Sequence, residues 1–413
     1  MTLRPLFVLC FAFTFLSSSV ASGLGLGEVR MVVFTCVFAA LLMAALTAHP
    51  RIASRDQAGP GLLLILLVFI AFADMLQGGL EPKGYKILLP VAALLFAANL
   101  AENLDAARLT RLITGLLTGY VLISALLLVT GQVAGGARGF GGVLRYDVSG
   151  SIVQHASLCT LGFLLVGYRS ITSPSLAVKT VGIAVALVAI GLALLTGTRT
   201  IVMTLTLVAA MGLMQSRKPV RASIALLAAL GASAIAFALY TRLVSESFWL
   251  RLTGAIDGDY SSGRLHSLGH WLGQATDHPF GLGLGAIRDT FADGRTMLPD
   301  GTLLEWPHNE VVRFFAEGGW LGLAFILVLL LVIIGRGLAV ARRHEDPHVR
   351  LAALALSADI AAGSLLQNYF NAVYGATPLI LFIAVAHAEL SGRKNAAAAP
   401  GDANRQRMVA SAH

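Results

Sequence analysis

Long apolar runs decide the fold class of this chain. Runs of about 17–25 apolar residues recur along the sequence, and each is long enough to cross a bilayer as one α-helix. The run "GGWLGLAFILVLLLVII" at residues 318–334 is one example. The 413 residues are 56% hydrophobic and only 13% charged, with a mean hydropathy of +0.77. The sequence therefore predicts an all-α, polytopic transmembrane helical protein.

The apolar runs predict about 12 spans. They lie near residues 6–22, 29–48, 61–77, 85–101, 112–131, 150–168, 177–196, 200–215, 222–243, 308–334, 350–369 and 373–390. The first run also resembles a cleavable signal peptide, but we favour a retained helix, and both readings leave residue 29 outside. Four regions follow: transmembrane helices 1–9 (1–243), a long periplasmic loop (244–307), transmembrane helices 10–12 (308–390) and a disordered cytoplasmic tail (391–413).

The net charge of +8 reflects topology and does not indicate a nucleic-acid partner. With the amino terminus in the cytoplasm, 18 of the 30 Lys and Arg residues fall inside, and the positive-inside rule then fixes the orientation. These are Arg4, Arg51, Arg55, Arg108, Arg111, Arg169, Lys179, Arg217, Lys218, Arg221, Arg336, Arg342, Arg343, Arg350, Arg393, Lys394, Arg405 and Arg407. The partners expected from composition are membrane lipids.

The three cysteines indicate neither disulfides nor a metal site. Cys10, Cys36 and Cys159 all fall inside predicted spans, and their number is odd. We interpret them as packing residues.

The long outer loop contains a predicted amphipathic helix within "SSGRLHSLGHWLGQATD". Ser261 or Ser262 would be its N-cap, and Trp271 suits the lipid interface. The apolar positions at helical spacing are Leu265, Leu268, Leu272 and Ala275. We expect the helix to lie on the outer membrane face. The following "HPFGLGLGAIRD" should turn the chain back, because Pro279, Gly281, Gly283 and Gly285 interrupt regular structure.

Two candidate metal motifs in this loop have simpler interpretations. His266 and His270 have i, i+4 spacing, but the acid of a zinc-protease helix and a third ligand are missing. Asp257 and Asp259 in "DGD" could bind a divalent ion beside a diphosphate, although such a Gly-containing sequence is more often a turn. No metal site is predicted.

Cations collect at the predicted outer face. Guanidinium groups offer paired N–H donors that match phosphate oxygens, and several together suit a diphosphate. The alternatives are side chains that reach toward water at the interface or internal ion pairs. Arg313, with Glu310 and Glu317 at helical spacing, is better explained as part of an ion-paired scaffold. The cations at the predicted outer face are Arg145, Arg199, Arg264, Arg288, Arg313 and His308.

His308 is the candidate base. It follows Pro307 and opens the tenth span, where the positive end of the helix dipole and partial desolvation both disfavour imidazolium. A neutral imidazole there could take a proton, with Asn309 as its polar neighbour. The alternative is a histidine with a purely structural place at the interface.

With these residues in view, the chain resembles the O-antigen ligase family, including the related O-antigen polymerases. The resemblance covers roughly residues 130–335 and rests on four motifs: "GTRT" at the start of a span, "SSGRLHSLGHW", "HPFGLGLG" and "PHNEVVRFFAEGGWLGL". It implies transfer of a polysaccharide from undecaprenyl diphosphate to a sugar hydroxyl of lipid A–core at the periplasmic face. Metal, nucleotide sugar, ATP or another cofactor would not be needed. By the same resemblance, Arg199 and Arg264 would bind the diphosphate, with Arg145 as a weaker match, and His308 would activate the acceptor.

Two other functions remain open. A polymerase would use the same donor but a second lipid-linked glycan as acceptor; the absence of a clear pair of Arg-x10-Gly loops favours the ligase. A transporter of lipid-linked glycan would do no chemistry, but such folds tend to show repeats and broken helices near the midplane. Here the charged residues gather at one face beside one loop.

Overall fold

The computed structural model describes residues 105–131, 152–196, 198, 200–215, 264–283, 285–291, 304, 306–367 and, with gaps, 378–389. All regular secondary structure in this part of the chain is α-helical, as the sequence predicted. The helices are α1 (Ala106–Val129), α2 (Ile152–Thr172), α3 (Leu176–Leu195), α4 (Thr200–Leu213), α5 (Arg264–Asp277), α6 (Ala286–Thr290), α7 (Glu310–Arg343) and α8 (Pro347–Leu366). Short helical stretches follow between residues 378 and 389.

Four of these helices, α1, α3, α7 and α8, are long and apolar enough to cross a membrane. The chain is therefore a multi-pass helical membrane protein. Helix α7 begins two residues after its predicted start at 308 and continues to Arg343, nine residues beyond the predicted end. The predicted spans at 6–22, 29–48, 61–77, 85–101 and 222–243 lie outside the described residues, so the total of 12 stays a prediction.

Local sequence determines where the hairpins turn. Asp346 caps α8 by accepting from the backbone N of His348 at 2.8 Å, and Pro347 occupies the first turn. Asp105 caps α1 in the same way, accepting from the N of Arg108 at 2.6 Å. The connections between α2 and α3 and between α7 and α8 are only three residues long, so the two helices of each pair run antiparallel.

Helix α8 is the centre of the bundle and packs against α7, α4 and α2. Nearly all of "LAALALSADIAAGS" within it is buried, and most of these residues are small. Small side chains allow close helix–helix approach in a membrane, where apolar residues gain nothing by leaving lipid. At the crossing with α7, a Cβ on Gly337 would lie 2.8 Å from the Cβ of Ser357. Cys159 of α2 is buried in the same core as a free thiol, in keeping with a packing role.

Helices α3 and α7 present apolar stripes outward. The exposed residues of α7 recur at helical spacing, which is the pattern of a face in contact with lipid. They include Trp320, Leu321, Leu327, Val328, Leu331 and Val332 on α7, and Leu176, Val181, Leu187 and Val188 on α3.

Side-chain contacts show which helix ends share a side. The Nδ2 of Asn309, just before α7, donates to the carbonyl of Leu365 near the end of α8 at 3.0 Å. Asp359 of α8 accepts from Ser157 and Thr204, which lie in the first two turns of α2 and α4. We call this the site side: α2, α4 and α7 begin there and α8 ends there. At the opposite side His348 of α8 meets α1 and α2 through Thr114 and Tyr168.

Candidate functional site

The start of α7 is fixed by Asn309. Its backbone is extended, and its Oδ1 accepts from the backbone N of Val311 at 2.9 Å and of Val312 at 3.1 Å. This is an N-cap that satisfies two of the helix's first N–H groups. The Nδ2 of the same side chain donates to Leu365 O. One amide therefore defines the first turn of α7 and holds it against the end of α8.

His308 has a strained backbone between this cap and Pro307. Its φ is +43°, which makes it the one non-glycine residue with positive φ in the described part of the chain. The left-handed conformation costs a residue with a Cβ about 1–2 kcal/mol. Pro307 is buried and His308 is half-buried. Strain held in place on both sides is a frequent property of functional positions.

Glu310 and Arg313 form a buried ion pair in the first turn of α7. The Nε of Arg313 lies 2.7 Å from Oε2 of Glu310, and the two side chains are 11% and 0% exposed. The guanidinium carbon of Arg313 also lies 4.9 Å from the ring centroid of Phe314. Removing one partner of such a pair leaves an uncompensated buried charge. Arg313 is thereby engaged within its own helix.

Glu317, predicted to share this pairing, interacts electrostatically with Arg313 and also contacts the outer loop. Its buried carboxyl accepts hydrogen bonds from the backbone N–H groups of Gly285 and Ile287, although Arg313 lies near enough to interact electrostatically. Within the described residues, the ion pair made by Arg313 is the one with Glu310. Glu317 therefore attaches the turn before α6 to α7.

The same turn crosses α7 through backbone contacts. The N of Leu282 donates to Ala316 O at 2.8 Å, the N of Gly283 donates to Glu317 O at 3.0 Å, and Pro279 O accepts from the N of Trp320 at 3.1 Å. Helix α7 is broken at this level by Gly319, with φ 59° and ψ −151°.

The glycines of "HPFGLGLG" and "EGGW" permit this crossing. As the sequence predicted, the first segment turns the chain, with φ values of 85°, 98° and 87° at Gly281, Gly283 and Gly285. A Cβ on Gly281 would lie 2.6 Å from the N of Gly319, and a Cβ on Gly319 would lie 2.7 Å from the N of Gly281. Both motifs are thus required by the packing of one backbone against another.

Helix α5 forms at the predicted place and packs on α7. Trp271 is 2% exposed, so the prediction that it lies at the lipid interface is wrong. Leu268, Trp271 and Ala275 share the face that packs against protein, whereas Leu272 is exposed. Exposed aromatic side chains near this turn are Phe280 and Trp320 instead. The predicted N-caps Ser261 and Ser262 lie outside the described residues.

Aromatic stacking connects the outer loop to the histidine segment. The rings of Trp271 and Phe291 are 6.3 Å apart, and Phe291 stacks on Trp306 at 5.3 Å with an angle of 16° between planes. Trp306 lies two residues before His308. Helix α5, the residues after α6 and the segment entering α7 therefore form one unit.

The predicted arginines can be placed only in part. Arg264 is the first residue of α5 and Arg288 lies in α6, but their side chains lie outside the described part of the structure. Arg145 and Arg199 also lie outside it. Thr198 and Thr200 on either side of Arg199 are buried, and the hydroxyls of Thr196 and Thr198 lie 3.0 Å apart.

The metal motifs are largely untested by the structure. Asp257, Asp259 and the side chain of His266 lie outside the described residues, while the ring of His270 packs edge-on against Trp271 at 5.1 Å. Among the residues that are described, no three His, Cys, Asp or Glu side chains cluster as metal ligands would.

Sequence reasoning missed a buried polar layer on the site side. Tyr120 OH lies 2.5 Å from Nδ1 of His155, and Asp359 accepts from Ser157 at 2.5 Å. His155 and Asp359 are 0% and 1% exposed. The signal was present in "LAALALSADIAAGSLL", where one acid interrupts an apolar span; such residues are functional candidates by default.

Comparison with known proteins agrees with the resemblance seen in the motifs. The family model described as O-antigen ligase matches residues 184–327, about a third of the chain. The matched segment contains Arg199, Arg264 and Arg288 as well as the whole of the α7 entrance, from His308 to Glu317. No curated protein matches the chain.

Proposed function

We propose that this chain, which carries an O-antigen ligase family region at residues 184–327, is an O-antigen ligase. It transfers polysaccharide from undecaprenyl diphosphate to a sugar hydroxyl of lipid A–core at the periplasmic face of the inner membrane. The reaction inverts the anomeric carbon and needs no metal.

His308 carries the proposal. It is a half-buried imidazole at a helix start, in a strained conformation between Pro307 and the Asn309 cap. A purely structural histidine has no need of a left-handed backbone, since an extended residue could also precede the cap. A base that must face an acceptor hydroxyl needs a fixed direction, and the cap together with the Asn309–Leu365 bond provides it.

The distribution of charge supports a periplasmic site. Arg313, paired with Glu310, lies on the site side, but most described basic residues lie at the helix ends opposite it, which the positive-inside rule assigns to the cytoplasm. They are Arg108, Arg111, Arg169, Lys179, Arg342, Arg343 and Arg350. The site side then faces the periplasm.

The transfer is a single displacement. The acceptor hydroxyl oxygen forms a bond to the anomeric carbon while the bond from that carbon to the diphosphate oxygen breaks. The hydroxyl proton passes to His308, and undecaprenyl diphosphate leaves with the electron pair of the broken bond. Arg199 and Arg264, assisted by Arg145 and Arg288, hold the developing negative charge of the diphosphate; such preorganised cations usually supply the largest part of catalysis.

The remaining polar residues of the α7 entrance support the base. The Glu310–Arg313 pair is internally neutralised, so it adds no net charge beside the imidazole. Glu317 holds the turn before α6, which carries Arg288. Asn309 orients the histidine segment and is the polar group nearest to it in sequence. Glu310, Arg313 and Glu317 therefore do not need to touch the substrate.

Lipopolysaccharide gels of a deletion strain test the proposal against its nearest rival. Loss of the polymer ladder with intact lipid-linked polymer is the expected result. A band with a single repeat unit would indicate a polymerase. A transporter would leave the purified protein unable to join donor to acceptor in detergent. Purified enzyme should also keep its activity in excess EDTA; a loss restored by magnesium or manganese would bring Asp257 and Asp259 back as ligands.

A further inference from the structure

Asp359 is an acidic side chain buried inside the membrane bundle. It lies in α8, is 1% exposed, and stands in the run "LAALALSADIAAGSLL" with no other charge. Its Oδ2 accepts from the hydroxyl of Ser157 in α2 at 2.5 Å, and its Oδ1 accepts from the hydroxyl of Thr204 in α4 at 3.4 Å. One carboxyl group thus connects three helices.

Packing alone does not explain an acid at this position. Burying a carboxyl group is unfavourable, and replacing buried polar groups by apolar residues of similar volume is often neutral or stabilising. The adjacent positions of α8 are buried apolar residues, Ala358 and Ile360. A carboxylate differs from an apolar side chain because each of its two oxygens accepts a hydrogen bond from a different helix.

The connection lies just beneath the proposed active site. Thr204 is four residues into α4, about one helical turn below Thr200, which directly follows Arg199. Leu365, whose carbonyl accepts from Asn309, is six residues beyond Asp359, about 9 Å along α8. Asp359 therefore joins the helix that begins after Arg199 to the helix that holds the His308 segment.

We propose that Asp359 is a positioning residue that fixes the hairpin carrying Arg199 relative to His308. The inference rests on the proposed function, because it concerns the distance between the diphosphate site and the base. In a displacement, those two groups must lie on opposite sides of one anomeric carbon. A shift of about 1 Å between them is enough to cost on the order of 100-fold in rate.

The chain offers matched variants and controls. Asp359→Asn, Ser157→Ala and Thr204→Val remove the charge or one hydroxyl of the connection. Thr160→Val and Ser357→Ala are the controls, because these buried hydroxyls donate only to the backbone of their own helices, at 2.7 Å for Thr160 and 2.8 Å for Ser357. Each variant is purified at full length in lipid nanodiscs and assayed with undecaprenyl-diphosphate-linked polysaccharide and lipid A–core.

A positioning role predicts loss of kcat per folded enzyme. Asp359→Asn should lower kcat about 10- to 100-fold, and each hydroxyl variant should lower it less, while the donor KM stays within about threefold. The melting temperature should stay close to that of the controls. Combining Asp359→Asn with Thr204→Val should lower kcat no further than Asp359→Asn does alone, because both act through one contact.

Three results would overturn the inference. Variants that match Thr160→Val and Ser357→Ala in kcat would remove any positioning role. A lower melting temperature with unchanged kcat per folded enzyme would make Asp359 purely structural, and a change confined to the donor KM would make it part of binding. If Asp359→Asn does not fold, Ser157→Ala and Thr204→Val decide by the same criteria. Failure of the proposed function looks different: wild-type enzyme would not join this donor to this acceptor, or His308→Ala would be fully active.

Discussion

At the scale of single residues, the α7 entrance combines side chains that hold the site with the proposed base. Asn309, Glu310 and Glu317 each have partners that explain their position: a helix cap, an ion pair and a turn. His308 is strained, and the contacts of its neighbours maintain that strain. Because strain of this kind is frequent at functional positions, we expect chemistry to determine the identity of the side chain at 308.

Replacing His308 should abolish transfer without loss of stability. His308→Gln keeps size and hydrogen bonding but cannot take a proton, so the rate should fall about 10²–10⁴-fold. His308→Asn should do the same while folding at least as well as wild type, because asparagine tolerates positive φ better. Single-turnover rates and melting temperatures measure both effects, with His278→Gln, at an exposed position, as control.

Two further properties distinguish a base from a positioning residue at 308. Donor binding should survive nearly intact, because the arginines hold the diphosphate. The wild-type rate should rise with pH and then level off, since the imidazole can accept a proton only once it has lost its own. Near wild-type transfer by His308→Gln, or failure of His308→Ala through lost donor binding alone, would place the base elsewhere.

Arg199 and Arg264 should each be essential for transfer. Alanine at either position should nearly abolish activity while leaving the protein in the membrane, and lysine should restore only part, because a point charge replaces a paired donor. Arg108→Ala is the control: its side chain is 67% exposed and pairs with Asp105 at the opposite side. Activity comparable to wild type in both alanine variants would exclude these arginines from the mechanism.

At the scale of elements, the outer loop is joined to α7 mainly by backbone. Three hydrogen bonds join residues 279–283 to α7 around its break at Gly319, and the two chains approach too closely for a Cβ at Gly281 or Gly319. Helix α5 adds a buried face through Trp271 and Ala275. The loop is thus a packed part of the site in the described region.

Gly319→Ala should therefore be far more damaging than Gly318→Ala. The new Cβ at 319 would lie 2.6 Å from the carbonyl carbon of Phe280 at a positive φ, whereas a Cβ at 318 meets nothing within 4 Å. Overpacking of this kind typically costs about 1–3 kcal/mol. Melting temperature and protease cleavage within 264–291 report the loss of docking. Equal stability of the two variants would refute the crossing.

Much of this arrangement followed from the sequence, and the parts that did not have physical reasons. Span length predicted the boundaries of the described long helices to within six residues, except for the end of α7, which lies nine residues beyond its prediction, since the signal is local. The prediction for Trp271 of α5 was wrong, because amphipathic spacing identifies an apolar face without showing whether lipid or protein covers it. The hydrogen bonds that Glu317 accepts from Gly285 and Ile287 were not predicted, because these residues lie some thirty positions away and only tertiary folding brings them near.

At the scale of the whole molecule, α8 organises the bundle. Its buried face packs against α2, α4 and α7, its end on the site side accepts from Asn309, and its other end contacts α1 and α2 through His348. The described helices consequently have one side with the strained histidine and another with the gathered basic residues. Such polarity implies a fixed orientation in the membrane.

Reporter fusions test that orientation. Fusions at residues 56, 219 and 345 should report the cytoplasm, and fusions at 140 and 290 should report the periplasm, because Arg and Lys of short loops stay on the cytoplasmic side. Residue 345 lies in the short connection between α7 and α8, while residue 290 ends α6, which Glu317 holds near the start of α7. The part of α7 after its break at Gly319, residues 320–343, is about 36 Å long, enough to separate the two positions by a bilayer. Active alkaline phosphatase at 290 and inactive phosphatase at 345 is the expected pair. A cytoplasmic signal at 290 would put His308 on the wrong side of the membrane for a periplasmic acceptor, and the proposed reaction would fail with it.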